Sequence, residues 1–285
     1  MSRIAYVNGH YVPHRAASVS IEDRGFLFAD AVYEVCEIHR GALIDAPRHL
    51  ERLHRSLREL RIAPPMADAA LLRVMREVRA RNRVSDGYVY VQVTRGAARR
   101  DHVFPDPPVR PGVVVTARAL SLAKREATAA KGVAVITLPD LRWKRVDIKT
   151  TGLTANVMAR QAAREAGAAE AWFVDAEGFV TEGAAANAWI VTTDHALVTR
   201  KADGSILRGV TRQTLIDLLT SRGIRLEERP FTMAEALAAR EAFITGATTL
   251  VMPVVRIDGA AVGDGWPGPL ALDLRARFHD AAARM

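Results

Sequence analysis

The sequence predicts a mixed α/β protein built as two successive segments, and three observations lead there. Short apolar strings of period two, bounded by Gly, Asn and Asp, alternate with strings of helical period along the chain. A polar, small-residue stretch, A-K-R-E-A-T-A-A-K-G, falls between the two segments. The chain has 285 residues, 49% of them apolar, which is enough for one large or two ordinary domains. The expected division is a first domain over 1–119, a linker over 120–131 and a second domain over 132–285.

In order along the chain, Ile4 to Val7 and Tyr11 to Val12 flank Asn8-Gly9-His10, a hairpin signal. Val32 to Ile38 alternates into a second hairpin at Arg40-Gly41. Leu50, Leu53, Leu57 and Leu60 recur at helical spacing, and Leu72, Met75 and Val78 repeat the pattern in a second helix over 71–80. Tyr88 to Thr94 and Val113 to Thr116 read as strands, separated by a Pro-rich loop over 95–111. In the second segment a helix over 153–166 ends at Gly167, and Ala171 to Val174 pairs with Phe179 to Thr181 across Asp175 to Gly178. Thr211-Arg212-Gln213-Thr214 opens a helix that buries Leu215, Leu218 and Leu219 and stops before Gly223. There is no internal repeat and no low-complexity segment.

The charge, 40 Lys plus Arg against 32 Asp plus Glu for a net +8, is lopsided in kind, since only five of the 40 are lysines. Nucleic-acid binding is the sharp reading of such an excess, but Arg52, Arg55, Arg58, Arg73, Arg76 and Arg79 are spread over helix faces with no aromatic interleaving, so solvated arginines account for it better. The single cysteine, Cys36, excludes an internal disulfide, and no Cys/His spacing suggests a metal site. The N-terminal text lacks the apolar core of a secretory signal and no apolar run is long enough for a membrane span, so a soluble cytoplasmic protein is expected.

Lysine scarcity is chemically useful. A lysine amine can lose its proton and condense with an aldehyde, and arginine cannot. Lys124, Lys131 and Lys201 lie in polar linker or turn text, and Lys144 sits in R-W-K-R, a cationic run expected to face water. Lys149, in V-D-I-K-T-T-G, stands just before a helix, where a loop presents a side chain to a cleft, although position alone does not select it. Two other segments could hold an anion. In I-L-R-G-V-T-R a glycine permits close backbone approach and Thr211 opens a helix, which is equally the signature of a simple helix cap. In F-I-T-G-A-T-T a strand runs into a small polar turn, a weak signal by itself.

Taken together and in this order, D-I-K-T-T, T-E-G-A-A-A-N, L-R-G-V-T-R and T-G-A-T-T resemble the class IV aminotransferases, pyridoxal 5'-phosphate enzymes of fold type IV. E-D-R-G-F-L-F-A-D-A-V-Y-E-V and H-L-E-R-L-H-R-S extend the resemblance over nearly the whole chain, and Q-V-T-R-G-A-A-R-R-D-H points within it to the D-amino-acid aminotransferases. The resemblance implies a smaller N-terminal α/β domain, a larger C-terminal pseudo-barrel domain, the cofactor between them, and a homodimer. It implies that Lys149 holds the cofactor as a Schiff base and shuttles the substrate proton. The resemblance implies that Glu182 pairs with the pyridine nitrogen, although on its own it reads as a surface turn residue. Arg52, Val210, Thr211, Gly246, Ala247 and Thr248 are implied to hold the phosphate, and Leu207 to pack on the ring. Tyr33, Arg100 and His102 form the implied trap for the substrate α-carboxylate, with Arg100 and His102 given by the neighbouring subunit; without the resemblance both read as solvated loop residues.

The chain departs from the pattern at Ala184, Ala185 and Ala186, where D-specific relatives often carry hydroxyls, and at Ala247, where Thr is common. A phosphate cup resting more on backbone and Arg52 is expected. The implied reaction is amino transfer from a D-amino acid to a 2-oxo acid in two half-reactions. Rival readings are a branched-chain L-amino-acid aminotransferase, an aminodeoxychorismate lyase of the same fold, and a cofactor-free basic binding protein.

Overall fold

The computed structural model describes residues 3–285, so the first two residues of the expected first domain lie outside the described residues. The chain forms two compact units. The first runs up to Ser121 and takes in Ile148–Gly152 and Ala283–Met285; the second comprises Leu122–Asp147 and Leu153–Ala282. The division is thus not the continuous one expected, because the short segment carrying Lys149 packs with the first unit.

The first unit contains β1 (Ile4–Val7), β2 (His10–Pro13), α1 (Arg24–Phe28), β3 (Ala31–His39), β4 (Ala42–Leu43), α2 (Ala46–Glu59), α3 (Asp68–Arg81), β5 (Gly87–Thr94) and β6 (Gly112–Ala119). Its six strands form an antiparallel sheet in the order β2-β1-β6-β5-β3-β4. Both expected hairpins form on two-residue turns whose residues all have positive φ: Asn8 at 48° with Gly9 at 106°, and Arg40 at 48° with Gly41 at 81°. The leucine stripe of α2 (Leu50, Leu53, Leu57) and that of α3 (Leu71, Val74, Met75, Val78) share one core with Val89, Val91 and Val93 of β5.

The second unit contains α4 (Leu122–Ala129), β7 (Val133–Pro139), α5 (Thr154–Glu165), β8 (Glu170–Val174), β9 (Val180–Gly183), β10 (Asn187–Val191), β11 (Leu197–Thr199), α6 (Val210–Ser221), β12 (Leu226–Glu228), α7 (Met233–Ala238), β13 (Glu241–Gly246), β14 (Leu250–Ile257), β15 (Ala260–Ala261) and α8 (Pro269–Ala281). The strand order is β12-β11-β10-β13-β14-β7-β8-β9, with β15 added to β14. Only Ala184–Ala186 separate β9, at one edge, from β10, five places away in that order. In a flat sheet those strands would lie about 24 Å apart, while three residues span at most about 15 Å. The sheet therefore curls into the pseudo-barrel that the resemblance implies. Strand β10 is buried on both faces, with Trp189 and Val191 in the core under α6 and α8 and Ala188 and Ile190 in a second core with Trp172 and Phe231.

The expected linker is a helix, α4. Its text combines three Ala with Leu, Lys, Arg and Glu, good helix formers without an apolar stripe, and the helix is tied down by Glu126, whose carboxylate accepts from Arg275 of α8 at 2.8 and 2.9 Å. Among the described residues no helix is long and apolar enough to cross a membrane.

Candidate active site

Of the five lysines, Lys124, Lys131, Lys144 and Lys201 are exposed and Lys149 is partly buried. The segment around it runs as a short antiparallel extension of the sheet beside the start of β3. Tyr33 N donates to Lys149 O at 3.0 Å, Thr151 N donates to Ala31 O at 3.1 Å, and Ile148 enters the core. From the other side the Ser56 hydroxyl of α2 accepts from Lys149 N at 3.3 Å. This backbone frame sets the Lys149 Nζ 4.1 Å from the centroid of the Tyr33 ring, a cation over an aromatic face. The structure thus brings together an amine and a phenol that the resemblance assigns to proton transfer and to carboxylate binding.

Arg52 lies one turn before Ser56 on the same face of α2, and His49 one turn before that. Arg52 forks onto Glu34 of β3, Nε to Oε1 and Nη2 to Oε2, each at 2.8 Å, and His49 Nδ1 lies 2.7 Å from Glu34 Oε2. Sequence reasoning singled out Arg52 and missed its holder, although polar residues at 49, 52 and 56 within a leucine helix are a readable signal. Burial pushes the Glu34 carboxyl up, but the Arg52 charge and the hydrogen bonds from Arg52 and His49 outweigh it and bring it down to about 2 from 4.5. A folded-state value below the unfolded one stabilises the fold above pH 4.5, and that contribution disappears as pH falls toward 2. Wild type is expected to lose about 3 kcal/mol more than Glu34→Gln between pH 6 and pH 2 in urea unfolding. Equal pH slopes in the two proteins would contradict the pairing.

Arg100 and His102 stand on the exposed loop after β5, and both approach Phe28, at 5.2 Å and 5.4 Å from its ring centroid. Among the described residues no hydrogen bond or ring contact joins either of them to Tyr33 or Lys149.

In the second unit Glu182, at the end of β9, is 5% exposed, which corrects its reading as a surface turn residue. Its carboxylate accepts from Arg142 Nη1 at 2.5 Å, from Asn187 Nδ2 at 3.0 Å, and from the Leu207 backbone N–H at 3.1 Å to each oxygen. Asn187 also donates to Leu207 O at 2.9 Å, so one amide fixes both the carboxylate and the loop before α6. Arg142 belongs to the R-W-K-R run expected to face water. Lys144 does so, whereas the Arg142 side chain is 6% exposed and packs over Phe173. Asp140 anchors it, accepting from Arg142 Nε at 2.9 Å and Nη2 at 2.7 Å and from the Thr181 hydroxyl at 2.8 Å. Burial raises the Asp140 carboxyl, and the Arg142 hydrogen bonds and charge more than reverse this, leaving it below its ordinary value. Arg142 and Asn187 were missed by sequence reasoning because their partner lies far along the chain or across a strand turn.

Two further pieces complete this half. Helix α6 begins at Gly209 without a side-chain cap, so the amides of its first turn, at Val210 and Thr211, are presented by backbone alone. A Cβ at Gly209 would collide with Asn187 Oδ1, so glycine is needed there to let the helix start against the amide that holds Glu182. Gly246 ends β13, and Ala247 and Thr248 form the following turn, closed by Thr249 N donating to Gly246 O at 3.2 Å. A Cβ on Gly246 would lie 3.3 Å from Ala185 O, so this turn abuts the Ala184–Ala186 segment. The Thr249 hydroxyl beside it is buried with no hydrogen-bond partner among the described residues. Sequence reasoning did not single out Thr249, which offers a hydroxyl next to the alanines that lack one.

The family described as amino-transferase class IV matches residues 31–257. The chain belongs to the class IV aminotransferases. The matched stretch runs from the start of β3 to the end of β14 and so includes Tyr33, Arg52, Lys149, Glu182 and the Gly246 turn. This class IV aminotransferase is 37% identical over 279 residues to the D-alanine aminotransferase of Listeria monocytogenes serotype 1/2a (strain 10403S), covering 98% of this chain and 96% of that one. It is 38% identical over 274 residues to the D-alanine aminotransferase of Bacillus licheniformis, covering 96% and 95%. Its fold is also that of the T.th. branched-chain amino acid aminotransferase solved with N-(5'-phosphopyridoxyl)-L-glutamate, with a TM-score of 0.89 and 27% identity over 98% of this chain and 94% of that chain.

Proposed function

We propose that this class IV aminotransferase moves the amino group of a D-amino acid, such as D-alanine or D-glutamate, onto a 2-oxo acid, with pyridoxal 5'-phosphate as cofactor. The observation that carries this reading is the identity of 37% and 38% with two D-alanine aminotransferases over nearly the full length of each chain. The branched-chain L-amino-acid reading rests on a structure at 27% identity.

The residues present fit the cofactor. Among the described residues Lys149 is the one lysine withdrawn from solvent, Glu182 offers a carboxylate fixed by hydrogen bonds, and the unpartnered Thr249 hydroxyl sits beside a backbone turn suited to phosphate. Lys149, Glu182, Leu207, Arg52, Val210, Thr211, Gly246, Ala247 and Thr248 are the residues we assign to holding it. When bound, pyridoxal phosphate supplies an electron sink for the pair left on the substrate Cα. Lys149 Nζ takes the Cα proton and returns it on the other side of the transfer. Glu182, fixed by Arg142 and Asn187, would offer its carboxylate as the partner of the protonated ring nitrogen. Tyr33, Arg100 and His102 hold the α-carboxylate and so choose which substituent of Cα faces Lys149.

We further infer a cytoplasmic homodimer. Arg100 and His102 make no hydrogen bond or ring contact to Tyr33 or Lys149 among the described residues, which fits a trap completed by a second copy. The lone thiol of Cys36, buried and free, fits a reducing compartment. In the proposed scheme the first 2-oxo acid leaves before the acceptor binds. Initial rates with D-alanine varied at several fixed 2-oxoglutarate concentrations are therefore expected to give parallel double-reciprocal lines, and intersecting lines contradict the scheme.

A further inference from the structure

The loop that carries Arg100 and His102 is exposed, rich in proline and without regular structure, yet a carboxylate trap needs its donors held in one direction. The residue that restrains it is Arg24, at the first position of α1, with a side chain 4% exposed. Its Nη1 donates to the backbone carbonyls of Asp101 at 2.5 Å and Val103 at 3.2 Å, the two residues that flank His102. Its Nε donates to Asp30 Oδ2 at 2.9 Å. Asp30 in turn accepts from Arg95 Nε and Nη2 at 2.6 and 2.9 Å, and the Arg95 guanidinium lies 3.7 Å from the centroid of Phe104. Arg24 also lies over Phe28, the ring that Arg100 and His102 both approach. The loop is thus gripped by its main chain on both sides of His102, from a buried guanidinium whose own orientation is fixed by an acid.

We propose that Arg24 is a positioning residue for substrate carboxylate recognition, acting through the Asp101 and Val103 carbonyls to set the direction of His102 and Arg100. The proposal rests on the reading of Arg100 and His102 as the carboxylate trap. A lysine would keep the charge next to Asp30 but lacks the planar fork that serves an acid and two carbonyls at once. Replacing Arg24 leaves Asp30 paired with Arg95, so the cluster does not strand a buried charge.

The test compares holoenzyme variants in D-alanine to 2-oxoglutarate transfer. Arg24→Met is expected to raise KM for D-alanine about tenfold while kcat changes less than about threefold, and Arg24→Lys is expected to behave alike with an unchanged thermal midpoint. In an Arg100→Ala/His102→Ala background, adding Arg24→Met is expected to change KM less than about twofold, since the groups it positions are gone. If Arg24→Met does not fold, Arg24→Lys carries the comparison. A KM within about twofold of wild type in the Arg24 variants, or a full additional tenfold rise in the double-alanine background, overturns the proposal. If Arg100→Ala/His102→Ala itself leaves KM unchanged, the trap reading fails and the clamp with it, whereas a raised KM there with none in the Arg24 variants refutes the clamp alone.

Discussion

Replacing Lys149 with alanine is expected to lower amino transfer by about 10³-fold or more while the protein still folds. The loss is large because the proposed assignment asks one amine to do two things, bind the cofactor and move the Cα proton, and the other four lysines are exposed in polar text. Folding survives because the segment is held by its main chain. Lys149 O accepts from Tyr33 N and Ile148 fills the core, and neither depends on the ammonium. The substitution also relieves Tyr33 of a cation on its face, an interaction of about 1 kcal/mol at most in a partly exposed site. The purified wild type should show a violet absorbance band that borohydride bleaches, and the variant should lack it. Transamination by Lys149→Ala above about one hundredth of wild type would refute the assignment of this lysine.

The hairpins of the first unit and the leucine stripes of α2 and α3 were legible because local turn chemistry and periodicity determine them. The second unit was less so. Its strand β10 is buried on both faces, so it shows no alternation, and the pairing of β7 with β14 joins segments more than a hundred residues apart. Helix α4 was hidden because its stabilising contact, Glu126 to Arg275, comes from the far end of the chain.

The same distinction separates the site residues. Lys149, Glu182 and the glycine turns stand in short motifs, and motifs survive in the text. The residues that hold them do not. Arg24, Arg95, Arg142, Arg212 and Arg275 look like members of a solvated arginine surplus, yet each has a largely buried side chain. Their partners include Asp30 for Arg95, Glu182 for Arg142 and Glu126 for Arg275, none of them near in sequence. Part of the arginine content of this chain therefore serves internal pairing rather than surface charge.

Discrimination between enantiomers is the other large effect the arrangement implies. Tyr33 and Lys149 are fixed relative to one another, with 4.1 Å between Nζ and the ring centroid. On the proposed assignment the carboxylate is seated at the phenol, the amino group at the cofactor and the Cα hydrogen toward Lys149, so three of the four substituents on Cα have set directions. The enantiomer then places its side chain where the hydrogen must point, and no small rotation restores the geometry, so a preference of about 100-fold or more is expected. The relatives at 37% and 38% identity are D-alanine aminotransferases, and the hand proposed for this chain is accordingly D. The direct measurement is kcat/KM for D-alanine and for L-alanine, together with branched-chain L-amino acids, with 2-oxoglutarate as acceptor. D-alanine is predicted to exceed its enantiomer by at least about 100-fold, and activity confined to the L-amino acids would contradict the account.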